Sequence, residues 1–477
     1  MRRNDSAGWI DLARMGGAIA FVILLFLTRS HAQSPPEQNP DLQQLKEKLQ
    51  RLDQEMQELK GQIDAVERGQ LAAQAPASAP TSASGDGQSA SAKPASPTHE
   101  DEHKNSLDLY GFVMTDTGYD FGQIDPQWFD VERPTKLPAF TNEFGGNGNV
   151  YFGVRQTRFG VKTSTPTALG DLKTQFEFEL FGTGVDAGQT TFRLRHAYGE
   201  LGQFGAGQTW SPFMDIDVFP NSLEYWGPNG MAFFRNVQIR WMPIRSDSTR
   251  LTFALERPGA SADQGIYANR IELQNIKPRF NLPDFTWSAR LLRRWGYVQA
   301  AGIFRKIGWV DTSGGPFNFS GTAFGWGLNA TSNVKLGKNS VGKFEVVYGE
   351  GIENYMNDAP VDIGVQNNFS NPVSPVKGVP LPVLGLVSFI DHNWSDRFSS
   401  SIGYSMLNIE NSDAQKPSDF HQGHYALTNL LYHPVPAVTI GGEFQFGRRV
   451  NFRDGFNFND YRAQFSFKYD WKRTFEF

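Results

Sequence analysis

The chain has 477 residues, a formal charge of −5 and no cysteine, which excludes disulfide frameworks, thiolate zinc sites, iron–sulfur ligation and cysteine nucleophiles. Aromatic residues reach 13%, with 39 Phe, while charged residues are only 20%; this aromatic load excludes an extended disordered chain. A multi-helix membrane protein would need many runs of about 20 apolar residues, and only one run approaches that class.

That run is GGAIAFVILLFL, residues 16–27, preceded by Arg2, Arg3 and Arg14 and followed by Ser30-His31-Ala32. The layout predicts a secretory signal peptide over 1–32, cleaved after Ala32, with a retained N-terminal anchor as the other reading. Cleavage removes four arginines and two aspartates, leaving 41 basic against 48 acidic residues, a net −7. An acidic chain of this kind is a poor nucleic-acid binder, so no nucleic-acid partner is expected.

Residues 33–68 form the next segment, expected in the periplasm. Within it, 41–68 place Leu42, Leu45, Leu49, Leu52, Met56, Leu59, Ile63 and Val66 at alternating spacings of 3 and 4. This unbroken heptad seam predicts a coiled coil. A lone helix of this length is marginal in water, so the seam gains stability by meeting copies of itself. One helix lying on its own barrel is the alternative, and the seam leaves the oligomer number open. Residues 69–106 are rich in Ala, Ser, Pro, Gln and Gly and read as a flexible linker.

From 107 to 477 the period becomes two. In DLKTQFEFEL, Leu172, Thr174, Phe176, Phe178 and Leu180 alternate with Lys173, Gln175, Glu177 and Glu179. YRAQFSFKY at 461–469 repeats the pattern. Sixteen such strands are predicted, from 107–119 to 459–469, and the connections between them alternate short and long. The aromatic face, the export signal and the alternating loops together predict an all-β transmembrane barrel of sixteen antiparallel strands with a polar, water-filled lumen. The last strand is expected to lose its alternation near Tyr469, with either a bulge near Trp471 or a short terminal segment beyond it.

The third long connection, 210–233, reads WSPFMDIDVFPNSLEYWGPNGMAF. Its prolines and glycines break any strand. If it folds inward, Asp215, Asp217 and Glu224 could face the solute path. Two aspartates alone are too few for a specific calcium site, and His421 and His424 are too few for a metal. On the neighbouring strands Arg158 and Lys162 share a parity. So do Arg193 and Arg195 with Ala197, and Arg240 with Gln238. Arg155 sits on the wrong parity, near a rim or beside a bulge. Arg158, Arg193, Arg195 and Arg240 can form a positive wall that concentrates anions, since guanidinium forks match carboxylates. The competing reading is that these charges pair with Glu177 or Glu179 and brace the barrel. No nucleophile, metal or cofactor signature stands out.

At this point the sequence resembles the DcaP-like family of trimeric outer-membrane porins. The resemblance rests on LYGFVMTDTGYDFG at 109–122 and VRQTRFGVKTSTPTALGDLKTQFEFEL at 154–180. It extends through FRLRHAYGELGQFGAGQTWSPFMD at 192–215 and PNSLEYWGPNGM followed by VQIRW. It implies a homotrimer of sixteen-stranded barrels, a periplasmic coiled coil that could approach peptidoglycan, and an inward loop. It also implies uptake of small anionic molecules such as dicarboxylates, with Arg158, Arg193, Arg195 and Arg240 lining the pore. The expected function is therefore passive diffusion through a non-enzymatic outer-membrane porin, in contact with outer-membrane lipid. A structural or peptidoglycan-linking protein and a barrel enzyme such as a lipid hydrolase are the alternatives. Deleting 41–68 is expected to weaken assembly while single barrels still fold. Native mass analysis checks this, and an unchanged oligomer would count against the seam.

Overall fold

The computed structural model describes residues 104–477; the predicted signal peptide, heptad helix and nearly all of the linker lie outside the described residues. The architecture is a closed antiparallel barrel of sixteen strand rows. In chain order these are β1 (Ser106–Asp120), β2 (Asn149–Gly153 and Arg158–Thr167), β3 (Gly170–Phe181) and β4 (Thr190–Leu201). Next come β5 (Phe204–Trp210), β6 (Arg235–Arg245), β7 (Thr249–Glu256), β8 (Asp284–Arg293) and β9 (Gly296–Asp311). The remainder are β10 (Gly321–Leu336), β11 (Ser340–Glu350), β12 (Pro382–Asn393) and β13 (Phe398–Ile409), then β14 (Phe420–Tyr432), β15 (Val438–Asn451) and β16 (Asn457–Glu476). A short piece, Ile276–Pro278, extends the β8 row by pairing with the far end of β9.

Closure comes from β1 and β16, paired in one unbroken register from Ser106↔Glu476 to Asp120↔Arg462. In hydrocarbon an open sheet edge leaves unpaired backbone groups, each costing several kcal/mol. The predicted alternation holds across the wall. Phe176 is 49% exposed on the outside, and its neighbour Glu177 is 5% exposed on the inside.

The structure departs from the sequence reading in three places. The last strand neither bulges nor stops near Tyr469 but runs in register to Glu476. Tyr469, Trp471 and Phe475 keep the outward parity, and Arg473 alone interrupts it. Second, the register between β3 and β4 shifts after the pairs Glu177↔His196 and Glu179↔Arg193. Arg195 and His196 are therefore both buried. Ala197 moves to the outer face opposite Phe176, away from Arg193 and Arg195. A bulge of this kind inserts one residue and reverses the parity beyond it. Similarly, Arg155 lies in the break between the two parts of β2, where the Thr157 N–H donates to the Val154 carbonyl at 3.0 Å.

Third, the lumen is not polar throughout. Ile303, Val347, Val383, Val387, Phe389 and Leu407 point inward and are at most 3% exposed. The loops cover them. The 210–233 loop folds into the barrel, where Phe213, Val218 and Met231 pack on these residues. The 351–381 loop follows it inward with Ile352, Tyr355 and Met356. The two are joined by backbone bonds, Phe233 N–H to Tyr355 O and Asn357 N–H to Met231 O, both 2.8 Å.

Wall side chains hold the 210–233 loop in turn. Asp215 accepts from Arg290 of β8 at 2.5 Å, Tyr297 of β9 at 2.7 Å and Thr331 of β10 at 2.6 Å. Ala232 N–H donates to Glu345 of β11 at 2.8 Å, and Gly230 N–H to Ser405 of β13 at 2.8 Å. Leu223 N–H donates to Glu443 of β15 at 2.7 Å. Gly230 lies so close to the wall that a Cβ there would overlap the Met406 carbonyl oxygen and approach that of Leu386. Gly230→Ala is therefore expected to lift the loop from the wall. The cost should be about 1–3 kcal/mol of overpacking strain, read as a lower urea midpoint in detergent.

Candidate functional site

The site grows from β3, whose inward row carries Glu177 and Glu179. The strands on either side supply cations. Arg158 of β2 stands opposite Glu179, and Arg193 of β4 is its partner on the other side. The β4 bulge then turns Arg195 into the same cluster. Arg195 Nε donates to Glu177 Oε1 at 2.6 Å, and its Nη1 bonds Glu179. Arg158 lies 3.7 Å from Glu177 and 3.4 Å from Glu179. Arg193 and Arg235 reach Glu179 at 3.6 and 3.5 Å. Tyr110 donates to Glu177 at 2.7 Å, and Tyr225 of the inward loop donates to Glu179.

Four guanidinium groups thus surround two carboxylates, leaving a local excess of positive charge. The cations differ in access. The Arg195 and Arg235 side chains are 6% exposed, whereas those of Arg158 and Arg193 are 24% and 30% exposed. Arg193 and Arg235 line a cavity of about 220 Å³ with Tyr225, Trp226, Asn354 and Asn357. Arg158 and Glu177 line a second cavity of about 480 Å³ with Tyr110, Phe112 and Lys472. Fixed guanidinium donors in a narrow passage raise the local concentration of anions and can fork onto a carboxylate.

The other residues singled out from sequence are distributed around this cluster. Lys162 is exposed at a cavity of about 320 Å³ shared with Asp108, Lys173, Gln175, Tyr198 and Glu200, its ammonium 5.0 Å from the Tyr110 ring. Arg240 stands apart. It donates to Trp210 O at 2.5 Å and Gln238 Oε1 at 2.8 Å, and it lies 5.3 Å from the Tyr198 ring. Asp217 binds Arg290 at 2.5 Å and remains half exposed, while Asp215 is buried. Glu224 is 2% exposed. It accepts backbone N–H groups of Glu132 at 3.2 Å and Trp226 at 2.9 Å, together with that of Gly227.

Several members of the site escaped the sequence reading. Arg235 has the outward parity of β6 but sits at the strand end, where the chain leaves the wall and the side chain turns in. Tyr225 and Trp226 belong to a loop whose path no periodicity reports. The guanidinium of Arg133 lies between the rings of Trp128 and Trp226, 4.1 and 3.9 Å from their centroids, and Arg133 Nε donates to Asp358 at 2.9 Å. This latch ties together the 121–148, 210–233 and 351–381 loops.

Burial pushes the Glu224 carboxyl up to about 8, against the lowering effect of its backbone N–H partners. A pKa raised in the folded state means the fold holds a proton that the unfolded chain releases. The stabilisation is complete below the ordinary glutamate range and is lost as the pH rises through about 8. The unfolding midpoint is therefore expected to fall between about pH 5 and pH 8, and Glu224→Gln is expected to flatten that slope. Denaturant titrations at each pH check it, and equal slopes in the two proteins would remove Glu224 as the cause.

The whole barrel is similar to the crystal structure of the outer membrane channel DcaP of Acinetobacter baumannii. The TM-score is 0.63 at 18% identity, covering 78% of this chain and 98% of that one. It is also similar to an anion-selective porin from Comamonas acidovorans. There the TM-score is 0.50 at 10% identity, covering 77% and 100% of the two chains. At these identities the likeness is one of fold. No curated protein sequence matches the chain. The sequence profile described as DcaP outer membrane protein matches residues 31–457, and the chain therefore belongs to the DcaP family of outer membrane proteins.

Proposed function

We propose that this outer membrane porin passes small anionic organic solutes, dicarboxylates among them, by passive diffusion. The observation that carries the reading is the excess of guanidinium over carboxylate at the inward loop, with Arg158 and Arg193 left open to the adjoining cavities. Glu177 and Glu179 hold the cluster together, and Arg195 and Arg235 neutralise them. Arg158 and Arg193 then meet the solute. Lys162 and Arg240 extend the positive wall along the inner surface. Asp215, Asp217 and Glu224 serve the loop: they keep it against the wall, which sets the width of the passage. Weak contacts repeated along such a path suit conduction better than one deep site. On this reading the working form is a homotrimer, with the heptad segment 41–68 in the periplasm and within reach of peptidoglycan.

Planar-bilayer reversal potentials in a succinate gradient, repeated with a cation of similar size, test the sign and the class. Arg158→Gln with Arg193→Gln is expected to lower the anion-to-cation permeability ratio by roughly threefold or more, as removing charges from a focused field should. An unchanged ratio would overturn the reading. Arg195→Gln should behave differently. It leaves two buried carboxylates short of a partner and is expected to cost about 3–5 kcal/mol of stability, read by denaturant unfolding.

A further inference from the structure

The arginines of the constriction face inward, but a second group of cations faces out. We propose that Arg257, Lys277, Arg279 and Lys306 form a docking site on the outer wall for the phosphorylated headgroup of an outer-leaflet glycolipid. The proposal is independent of which solute the pore carries.

Register places these side chains. Along β9 the buried residues Arg305 and Ile307, 2% and 3% exposed, flank Lys306. Lys306 is exposed, and its cross-strand partner is Phe324, 61% exposed on the outside. Ile276–Pro278 pairs with the end of β9 so that Lys277 stands beside Val310, four residues beyond Lys306 on the same face. The Arg279 N–H donates to the Gly308 carbonyl at 2.8 Å, which sets Arg279 between the two lysines on that face. Arg257 follows the buried Glu256 at the end of β7, so it takes the outward parity. Its N–H continues the sheet to Val237 O at 2.8 Å. All four side chains are exposed. Among the described residues, none has a carboxylate within 4.0 Å.

Their height on the wall identifies the occupant. β9 starts at the short turn that holds Trp295 and runs toward the long-loop end, which in this class of barrel faces outward from the cell. Just behind Lys306 on this path an aromatic row crosses five neighbouring strands. Trp241, Phe253, Phe285, Phe304 and Phe324 stack in sequence at centroid distances of 5.8, 6.3, 6.4 and 6.2 Å. Counted along the strands from that row, Lys306 lies roughly 7 Å loopward, Arg257 and Arg279 roughly 14 Å, and Lys277 roughly 20 Å, at one strand rise per residue. They stand where acyl chains give way to headgroups. Cations crowded at that level without carboxylates repel one another unless anions join them. Phosphates above an acyl layer meet this need, since arginine forks onto them and lysine acts as a point charge. Residues 280–283, between Arg279 and Asp284, leave the β8 row at this place, and Leu282 is 55% exposed there, adding an apolar contact for the lipid.

Native mass spectrometry of the full-length protein, titrated with bisphosphorylated lipid A and with the same lipid after dephosphorylation, tests the site. The phosphorylated form is expected to bind about tenfold more tightly or better, the equivalent of one charge-assisted contact. Arg279→Gln with Lys306→Gln is expected to abolish the difference and leave single-channel conductance unchanged, while Lys306→Arg retains it. Equal binding of the two lipids by the unaltered protein would overturn the proposal, and that comparison stands even if a variant fails to fold. Retention of the full difference after all four cations are changed to glutamine would overturn it as well.

Discussion

Every backbone amide in the wall must find its partner inside the molecule, because the surrounding hydrocarbon offers none. That requirement explains why β1 and β16 stay in register over the full length of β1, although the last residues of β16 have a mixed composition. Pairing is sustained by the backbone even where side chains give it little help. It also explains why the ladder resumes after each irregularity. The bulge in β4 shifts the register and then lets the ladder resume.

A closed wall of sixteen strands encloses more space than its own inward side chains fill. The loops fill it unevenly. On the side of β9–β14 the 210–233 and 351–381 loops pack apolar residues against apolar wall positions, so that half of the lumen behaves as an ordinary protein core. On the side of β2–β6 the wall stays charged, and the cavity lined by Arg193 and Arg235 lies between it and the loops. Buried carboxylates tie the 210–233 loop to the wall: Asp215, Glu345 and Glu443 accept loop N–H groups or wall donors that would otherwise be left unpaired. The anchoring acids and the arginine cluster therefore have separate tasks, although both are acids and bases inside one barrel.

Under the proposed function, bracing and steering are not rivals. Glu177 and Glu179 lie among four arginines, and the buried Arg195 serves both most closely. A cluster with more cations than anions can satisfy its own carboxylates and still present positive charge to a solute. The outer wall follows the same logic at another height, where unpaired cations stand above an aromatic row instead of beside a carboxylate.

Strand number, the alternation of short and long loops, and the inward parity of Glu177, Arg158 and Arg193 were legible in the sequence, because a side-chain period of two is a local property of an extended chain. What local pattern could not supply was the path of the loops. Glu224 and Asp215 read as free acids until the tertiary structure set them against backbone amides and an arginine. Arg133, Trp226 and Asp358 come together only because three loops, far apart in the chain, share one lumen. Parity decides which face a side chain takes; only the closed barrel, with its interior to fill, decides what it meets there.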